Sequence, residues 1–314
     1  MTERPTALEI VDGIDLSGRT CVITGASSGL GRESARTLAA AGAHVVLAAR
    51  DRDALAQTAQ WIRAEVPGAR ISAVELDLTA LASVRAAANA IRDVAPAIDV
   101  LMNNAGVMFT PFGRTSDGFE LQVGTNHFGH FELTRLLGPQ LAVAAGAGGQ
   151  ARIVTLSSGG HVMGDVDFDD PNWESRDYDK FVAYGASKTA NILHAIEADR
   201  RWRGLGIRAY AVHPGTVATA LARYMSRSDF SRLRKLAAAT SAARGEPTDG
   251  FLDFSTPEQG AATQVWAAVS HELADKGALY LQDCRVSDAV APYARDEQRA
   301  ADWWILSEKL CDSS

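Results

Sequence analysis

Tyr184 and Lys188 stand four residues apart in the stretch YGASK. At that spacing two side chains share one face of a helix, so a phenol and an ammonium can point into the same cleft. A free tyrosine has a pKa of about 10, and a nearby cation favours its phenolate. Bringing the phenol to about 7 takes roughly 4 kcal/mol of differential stabilisation. A group poised near neutral pH is an efficient general acid or base. The same pair on an outward helix face would merely be solvated, so the rest of the chain has to separate the two readings.

A second group of residues is the turn TGASSGLG, Thr24 to Gly31, which joins the apolar run TCVIT (20–24) to a helical pattern at about 30–41. Glycines at 25, 29 and 31 allow a tight turn and a close backbone approach to a ligand. The helix start adds partial positive charge suited to a pyrophosphate. The spacing is not G-x-G-x-x-G, so that fingerprint is not claimed. A third group is Ser157 and Ser158, which end the run RIVTLSS (152–158). Strand neighbours point to opposite faces, so only one of them can serve the carboxyl edge of a sheet, where ligands bind in open α/β folds. His127 and His130 lie three apart with no H-E-x-x-H or Cys/His set beside them. They are read as packed or solvated, and no metal site is assigned.

The elements that must position these groups alternate. Strand-like runs fall at 20–24, 43–49, 71–77, 98–106, 152–158, 207–215 and 278–284. Helical patterns fall at about 30–41, 53–65, 81–93, 118–144, 181–203 and 257–270. Several strands are continuous apolar runs, as strands buried on both faces are. Such repetition predicts an α/β fold: a single Rossmann-like, doubly wound parallel sheet of about seven strands with helices on both faces. One domain over 1–314 is expected, with a core at about 16–284, insertions at 159–180 and 220–256, and a tail at 285–314. Long insertions in such units are usually lids or binding loops.

In order, T-G-x-x-x-G-x-G, Asp77 in DLT, NNAG (103–106), Asn126, Ser158, the Tyr184/Lys188 pair and HPG (213–215) resemble the short-chain dehydrogenase/reductase family over about residues 16–284. The stretches TNHFGHFELT, YGASKTANILHA and AVHPGTV, the tail, and the 26-residue separation of Ser158 from Tyr184 resemble its retinol-dehydrogenase-like branch. The resemblance implies an oxidoreductase moving hydride between a nicotinamide and a carbonyl or secondary alcohol. It gives Tyr184 proton transfer, Lys188 tuning of that tyrosine and a grip on the nicotinamide ribose, Ser158 the substrate oxygen, and Asn126 a helix kink and a water in a proton relay. It gives the cofactor Gly25, Ser27, Ser28, Gly29, Leu30 and Gly31 at the turn, Asp77 and Leu78 near adenine, and Asn104, Ala105 and Gly106 in the cleft. Pro214, Gly215, Val217 and Thr219 fall at the nicotinamide.

At the end of the second strand, LAARDRD has Ala49 where NAD enzymes carry a carboxylate, followed by Arg50. A missing acid and an arginine suited to a 2′-phosphate favour NADP. NAD stays open, because Asp51 and Asp53 are near. A double-bond reductase on the same scaffold and a non-catalytic nucleotide sensor are the other readings. Phe168, Trp173, Phe181, Leu221, Tyr224 and Met225 either wall a large apolar pocket or anchor loops to the core. The basic segment 227–244 reads as a solvated helix rather than a membrane-surface one.

Composition narrows the classes further. The 314 residues carry a net charge of −7, with none of the basic footprint of a nucleic-acid binder. No run of eighteen apolar residues appears, so no integral membrane segment is expected. Cys21, Cys284 and Cys311 are odd in number and far apart, as reduced thiols of a cytoplasmic protein are. A small-molecule substrate is the expected partner. The small face Ala183, Ala186 and Ala190 would allow close helix approach in a homodimer or homotetramer, or burial within one chain.

Overall fold

A computed structural model describes residues 4–146, 149–217, 220–243 and 254–314. In chain order the elements begin with α1 (Ala7–Ile10), β1 (Thr20–Thr24), α2 (Gly29–Ala40), β2 (His44–Ala49), α3 (Arg52–Glu65) and β3 (Arg70–Glu75). Next come α4 (Leu81–Val94), β4 (Val100–Asn103), α5 (Leu121–Val123), α6 (Gly129–Gly146), β5 (Ala151–Leu156) and α7 (Lys180–Trp202). The last are β6 (Ile207–His213), α8 (Arg227–Ala243), α9 (Pro257–Gly260), α10 (Ala262–Val269), β7 (Leu279–Gln282), β8 (Arg285–Val286) and α11 (Glu297–Asp312).

The strands form one sheet in the order β3-β2-β1-β4-β5-β6-β7-β8. β1 to β7 pair in parallel, and β8 folds back antiparallel on β7. The chain winds outward from β1 in one direction and restarts at β4 in the other. The crevice between the carboxyl ends of β1 and β4 is therefore the switch point at which such sheets bind ligands. The expected seven strands become eight, because the two-residue β8 is too short to leave a pattern.

Alternation explains the two layers of core. Val22, Val46 and Leu101 face α4, α6, α7 and α11, whereas Cys21, Ile23, Val45 and Leu47 face α2, α3 and α10. The strands are buried on both faces, which is why they read as continuous apolar runs.

Three helical regions differ from the sequence reading. The pattern at 118–144 resolves into α5, a π turn at Gly124–Phe128, and α6. The pattern at 257–270 splits into α9 and α10. Within the expected tail, α11 lays Trp303 and Trp304 on α6 and α7, with ring centres 5.9 Å from Phe128, 4.9 Å from Phe131 and 5.6 Å from His194. The basic segment forms α8.

Ala183, Ala186 and Ala190 are buried within the chain. Beside them Gly164 and Gly185 meet so closely that a Cβ on Gly185 would collide with the Gly164 nitrogen. That small-residue side of α7 therefore receives the segment around Gly164. Among the described residues no helix is long and apolar enough to cross a membrane.

Candidate active site

The turn after β1 is built for close approach. Gly25 (φ 65°) and Gly29 (φ 54°) adopt left-handed backbone, which costs glycine little. The Thr24 hydroxyl accepts from the Asn104 and Ala105 backbone N–H groups at 2.9 and 3.0 Å. The Asn104 side chain donates to the Thr24 carbonyl at 2.8 Å. A Cβ on Gly25 would lie 2.9 Å from Ala105 Cα, and one on Gly31 would collide with Asn104. Gly31 thus serves packing behind the cleft. Gly25, Ser27, Ser28, Gly29 and Leu30 line it. Ser28 precedes α2 without capping it through its side chain, which leaves first-turn N–H groups for an anion.

Charges at the far end are largely committed. The Asp51 carboxylate caps α3 by accepting from the Ala54 N–H at 2.9 Å, and Glu75 pairs with Arg52. Asp53 does not line the cleft. Arg50 does, and among the described residues it has no ion-pair partner. Asp77 and Leu78 form the adjoining wall, where Asp77 accepts from the Thr79 N–H and hydroxyl at 2.9 and 2.7 Å.

Ser158, Tyr184 and Lys188 come together at the carboxyl end of β5. The two serines do part. Ser157 turns inward and donates to the Lys188 carbonyl at 2.9 Å. Ser158 accepts from the Gly160 N–H at 3.0 Å, and its hydroxyl is near enough to the Tyr184 phenol to pull that phenol slightly downward. Lys188 Nζ donates to the Leu156 carbonyl at 3.0 Å and lies 5.8 Å from the centre of the Tyr184 ring. Burial lowers the Lys188 ammonium to about 8. Burial also pushes the Tyr184 phenol up to about 12, against a smaller downward pull from Ser158. With protein groups alone the phenol therefore moves away from neutrality, because desolvation outweighs the pull of Ser158.

Asn126 lies within the π turn, a distortion frequent at functional sites. Its Oδ1 accepts from the Val107 N–H at 2.8 Å, and its Nδ2 donates to the Val107 carbonyl and the Ser187 hydroxyl at 3.0 and 2.9 Å. It sits behind Gly106, whose Cβ, if present, would lie 3.1 Å from Asn126 Oδ1 and 3.6 Å from Lys188 Nζ. Its backbone carbonyl accepts from His130 Nδ1 at 2.9 Å, so His130 Nε2 accepts from the Thr24 hydroxyl at 2.8 Å. His127 is packed in the core against Ser307 at 2.8 Å.

Ser158, Tyr184 and Lys188 face one cleft of about 1230 Å³, which Asn104, Ala105, Gly106, Pro214, Gly215 and Val217 also line, whereas Asn126 is buried behind it. Thr219 lies outside the described residues. Beyond Tyr184 the wall is apolar and rich in methionine: Met108, Phe109, Met163, Met225 and Leu233. α8 covers this end. It is clasped to the start of α7 by Lys180–Asp229 and Arg232–Asp179, both 2.6 Å.

Leu221, Tyr224 and Met225 line the cleft, but Phe168, Trp173 and Phe181 do not. Phe168 stands edge-on to Trp303 and so anchors the 159–180 segment to α11, whereas Trp173 stands edge-on to Tyr178 within that segment. The sequence reading missed Met108 and Phe109, although they directly follow NNAG. It also gave no role to the His213 side chain, which lines the cleft and which burial lowers to about 4.

The short chain dehydrogenase family model matches residues 19–229. The chain is 38% identical over 295 residues to human Retinol dehydrogenase 13, covering 94% of this chain and 85% of that protein. It is 36% identical over 325 residues to Short-chain dehydrogenase/reductase prx1 of Penicillium rubens, covering 99% and 91%. A solved structure from Mycobacterium paratuberculosis superposes with a TM-score of 0.72 at 34% identity over 95% of both chains. Another, from Beutenbergia cavernae, assigned as an NAD(P)-dependent gluconate 5-dehydrogenase with NADP bound at low occupancy, gives 0.63 at 28% identity over 86% and 96%. The chain therefore belongs to the short-chain dehydrogenase/reductase family, in its retinol-dehydrogenase-like branch, and is a nicotinamide-dependent oxidoreductase of alcohol or carbonyl groups.

Proposed function

We propose that this enzyme uses NADP(H) to interconvert a bulky apolar carbonyl compound and its alcohol, through Tyr184, Lys188, Ser158 and Asn126. The observation that carries the reading is the convergence of the Ser158 hydroxyl, the Tyr184 phenol and the buried Lys188 ammonium on one cleft. A substrate oxygen placed between the two hydroxyls takes a bond from each. Reduction transfers the phenolic proton to that oxygen, and Ser158 holds it as C=O becomes C–OH. In oxidation the phenolate takes the proton back. Lys188, at about 8, is mostly protonated at neutral pH. It is placed to hydrogen-bond the ribose. Asn126 supports the relay by fixing the Gly106–Val107 backbone beside Lys188.

The cleft residues fit a dinucleotide. The open first turn of α2 with Gly25, Ser27, Ser28, Gly29 and Leu30 suits the pyrophosphate. Asp77 and Leu78 suit the adenine end, and Pro214, Gly215 and Val217 the nicotinamide. When bound, the nicotinamide supplies hydride to the carbonyl carbon or accepts it from the alcohol carbon. Arg50, unpaired while Asp51 is used as a helix cap, favours a 2′-phosphate and hence NADP. The methionine-rich wall supports a large, variably shaped apolar substrate. Because a relative is named for retinol, all-trans-retinal is the first probe.

The test measures NADPH and NADH binding to wild type and Tyr184→Phe, then turnover of all-trans-retinal, nonanal and trans-2-nonenal. NADPH should bind both proteins and only wild type should reduce the carbonyls. Binding of neither cofactor would end the proposal. Conversion of trans-2-nonenal to nonanal rather than to the allylic alcohol would replace it with double-bond reduction.

A further inference from the structure

Among the described non-glycine residues with left-handed backbone, Phe109 (φ 53°) lines the cleft beside Tyr184. A bulky side chain disfavours that region, and such conformations persist where their surroundings over-determine them. Here the surroundings are specific. The Phe109 N–H donates to Gln122 Oε1 at 2.8 Å. Gln122 Nε2 donates to the Tyr178 oxygen at 2.8 Å and to the Lys180 carbonyl at 3.0 Å. The Tyr178 hydroxyl donates to Glu120 at 2.9 Å. One amide therefore ties the loop after β4 to the first turn of α7. The Phe109 ring is brought to 4.2 Å from Phe181 and, edge-on at 69°, to 5.1 Å from Tyr184.

A hydrogen bond to a tyrosine oxygen constrains the ring plane only weakly, because that oxygen lies on the axis about which the ring turns. Conjugation keeps the phenolic O–H in the plane of the ring. Whatever fixes the plane therefore fixes the direction in which the proton leaves. Phe109 meets one side of the ring, and on another Gly160 approaches so closely that its Cβ, if present, would lie 3.0 Å from Tyr184 Cε1. We propose that Phe109, held in its left-handed conformation by Gln122, is a positioning residue that sets the plane of the Tyr184 ring and so aims its proton at the substrate oxygen. The inference rests on the reading of Tyr184 as the proton-transfer group.

Phe109→Leu, Phe109→Gly and Phe109→Tyr are compared with wild type and Tyr184→Phe. Two readouts are taken: kcat and KM for NADPH-dependent reduction of all-trans-retinal, and the alkaline titration of Tyr184, followed as the tyrosinate absorbance step missing from Tyr184→Phe. Glycine suits the backbone at this position, so Phe109→Gly removes only the ring. In the leucine and glycine variants kcat should fall about tenfold to a hundredfold, with KM for NADPH within about twofold of wild type. The Tyr184 titration should move to lower pH as water reaches the ring, and the pH midpoint of kcat should move with it. Phe109→Tyr, which keeps the ring, should restore most of kcat.

Folded leucine and glycine variants with wild-type kcat and an unmoved Tyr184 titration would overturn the inference. If the glycine variant does not fold, the leucine variant decides. Turnover retained in Tyr184→Phe would instead sink the catalytic reading, and the titration, which needs no substrate, would still decide the positioning role.

Discussion

Tyr184 and Lys188 stood out as letters because a spacing of four puts both on one helix face, whereas alternation only set Ser157 apart from Ser158 and the family resemblance chose between them. The state of the phenol was not legible. It depends on what covers the ring, and Phe109 and Phe181 come from elements far apart in sequence. Burial pushes the phenol up to about 12, with a smaller pull downward from Ser158. Cofactor choice also belongs to this scale. Arg50→Ala should raise the KM for NADPH and leave that for NADH nearly unchanged, measured at low salt because exposed charge pairs are screened. Equal losses for both cofactors would remove Arg50 from the 2′-phosphate.

Among the elements, the buried strands were easy to read and the helices less so. α11 carried a signal in Ala300, Trp303, Trp304, Ser307 and Cys311, all buried on one face at helical spacing. Phe168 and Trp173 could not be told from pocket walls, since the partner of Phe168 lies more than a hundred residues on. The π turn is a local break that periodicity hides, because helical spacing continues on either side. The clasp between α8 and α7 joins residues about fifty positions apart, and it yields a prediction. Asp229→Asn loses the ion pair to Lys180, whose partial burial makes it worth more than an open surface pair. KM for all-trans-retinal should rise several-fold while KM for NADPH holds. A matched rise in both would mean that α8 does not act at the apolar end alone.

Over the whole molecule, a doubly wound parallel sheet followed from the alternation of strands and helices with right-handed crossovers, whereas the strand order and the covering of α6 and α7 by α11 did not. That covering buries His127 and His194 against Trp303 and Trp304, while His130 is buried beside Thr24 and His213 lies at the end of β6. His130, His194 and His213 are pushed by burial to about 4, 3 and 4, and His127 well below its ordinary 6.5. Between about pH 6.5 and 4 the unfolded chain therefore binds more protons than the folded one. Their contribution to stability is intact above 6.5 and is lost as pH falls, by about 1.4 kcal/mol per pH unit for each histidine. Urea midpoints at pH 7 and pH 5 should show this loss. His194 has no hydrogen-bond partner at either ring nitrogen and stacks on Trp304. His194→Phe should therefore stabilise the protein by about 1–3 kcal/mol and flatten the acid slope. A variant no more stable than wild type at pH 5 would show that a polar partner reaches those nitrogens.

The position of α11 also has a consequence for synthesis. Phe128, Phe131 and His194 leave the ribosome early, yet Trp303 and Trp304 emerge about a hundred residues after α7 is complete. At roughly 5–20 residues per second, that apolar face stays bare for about 5 to 20 s on every nascent chain. A holdase should find its site there, and release should follow the arrival of the two tryptophans.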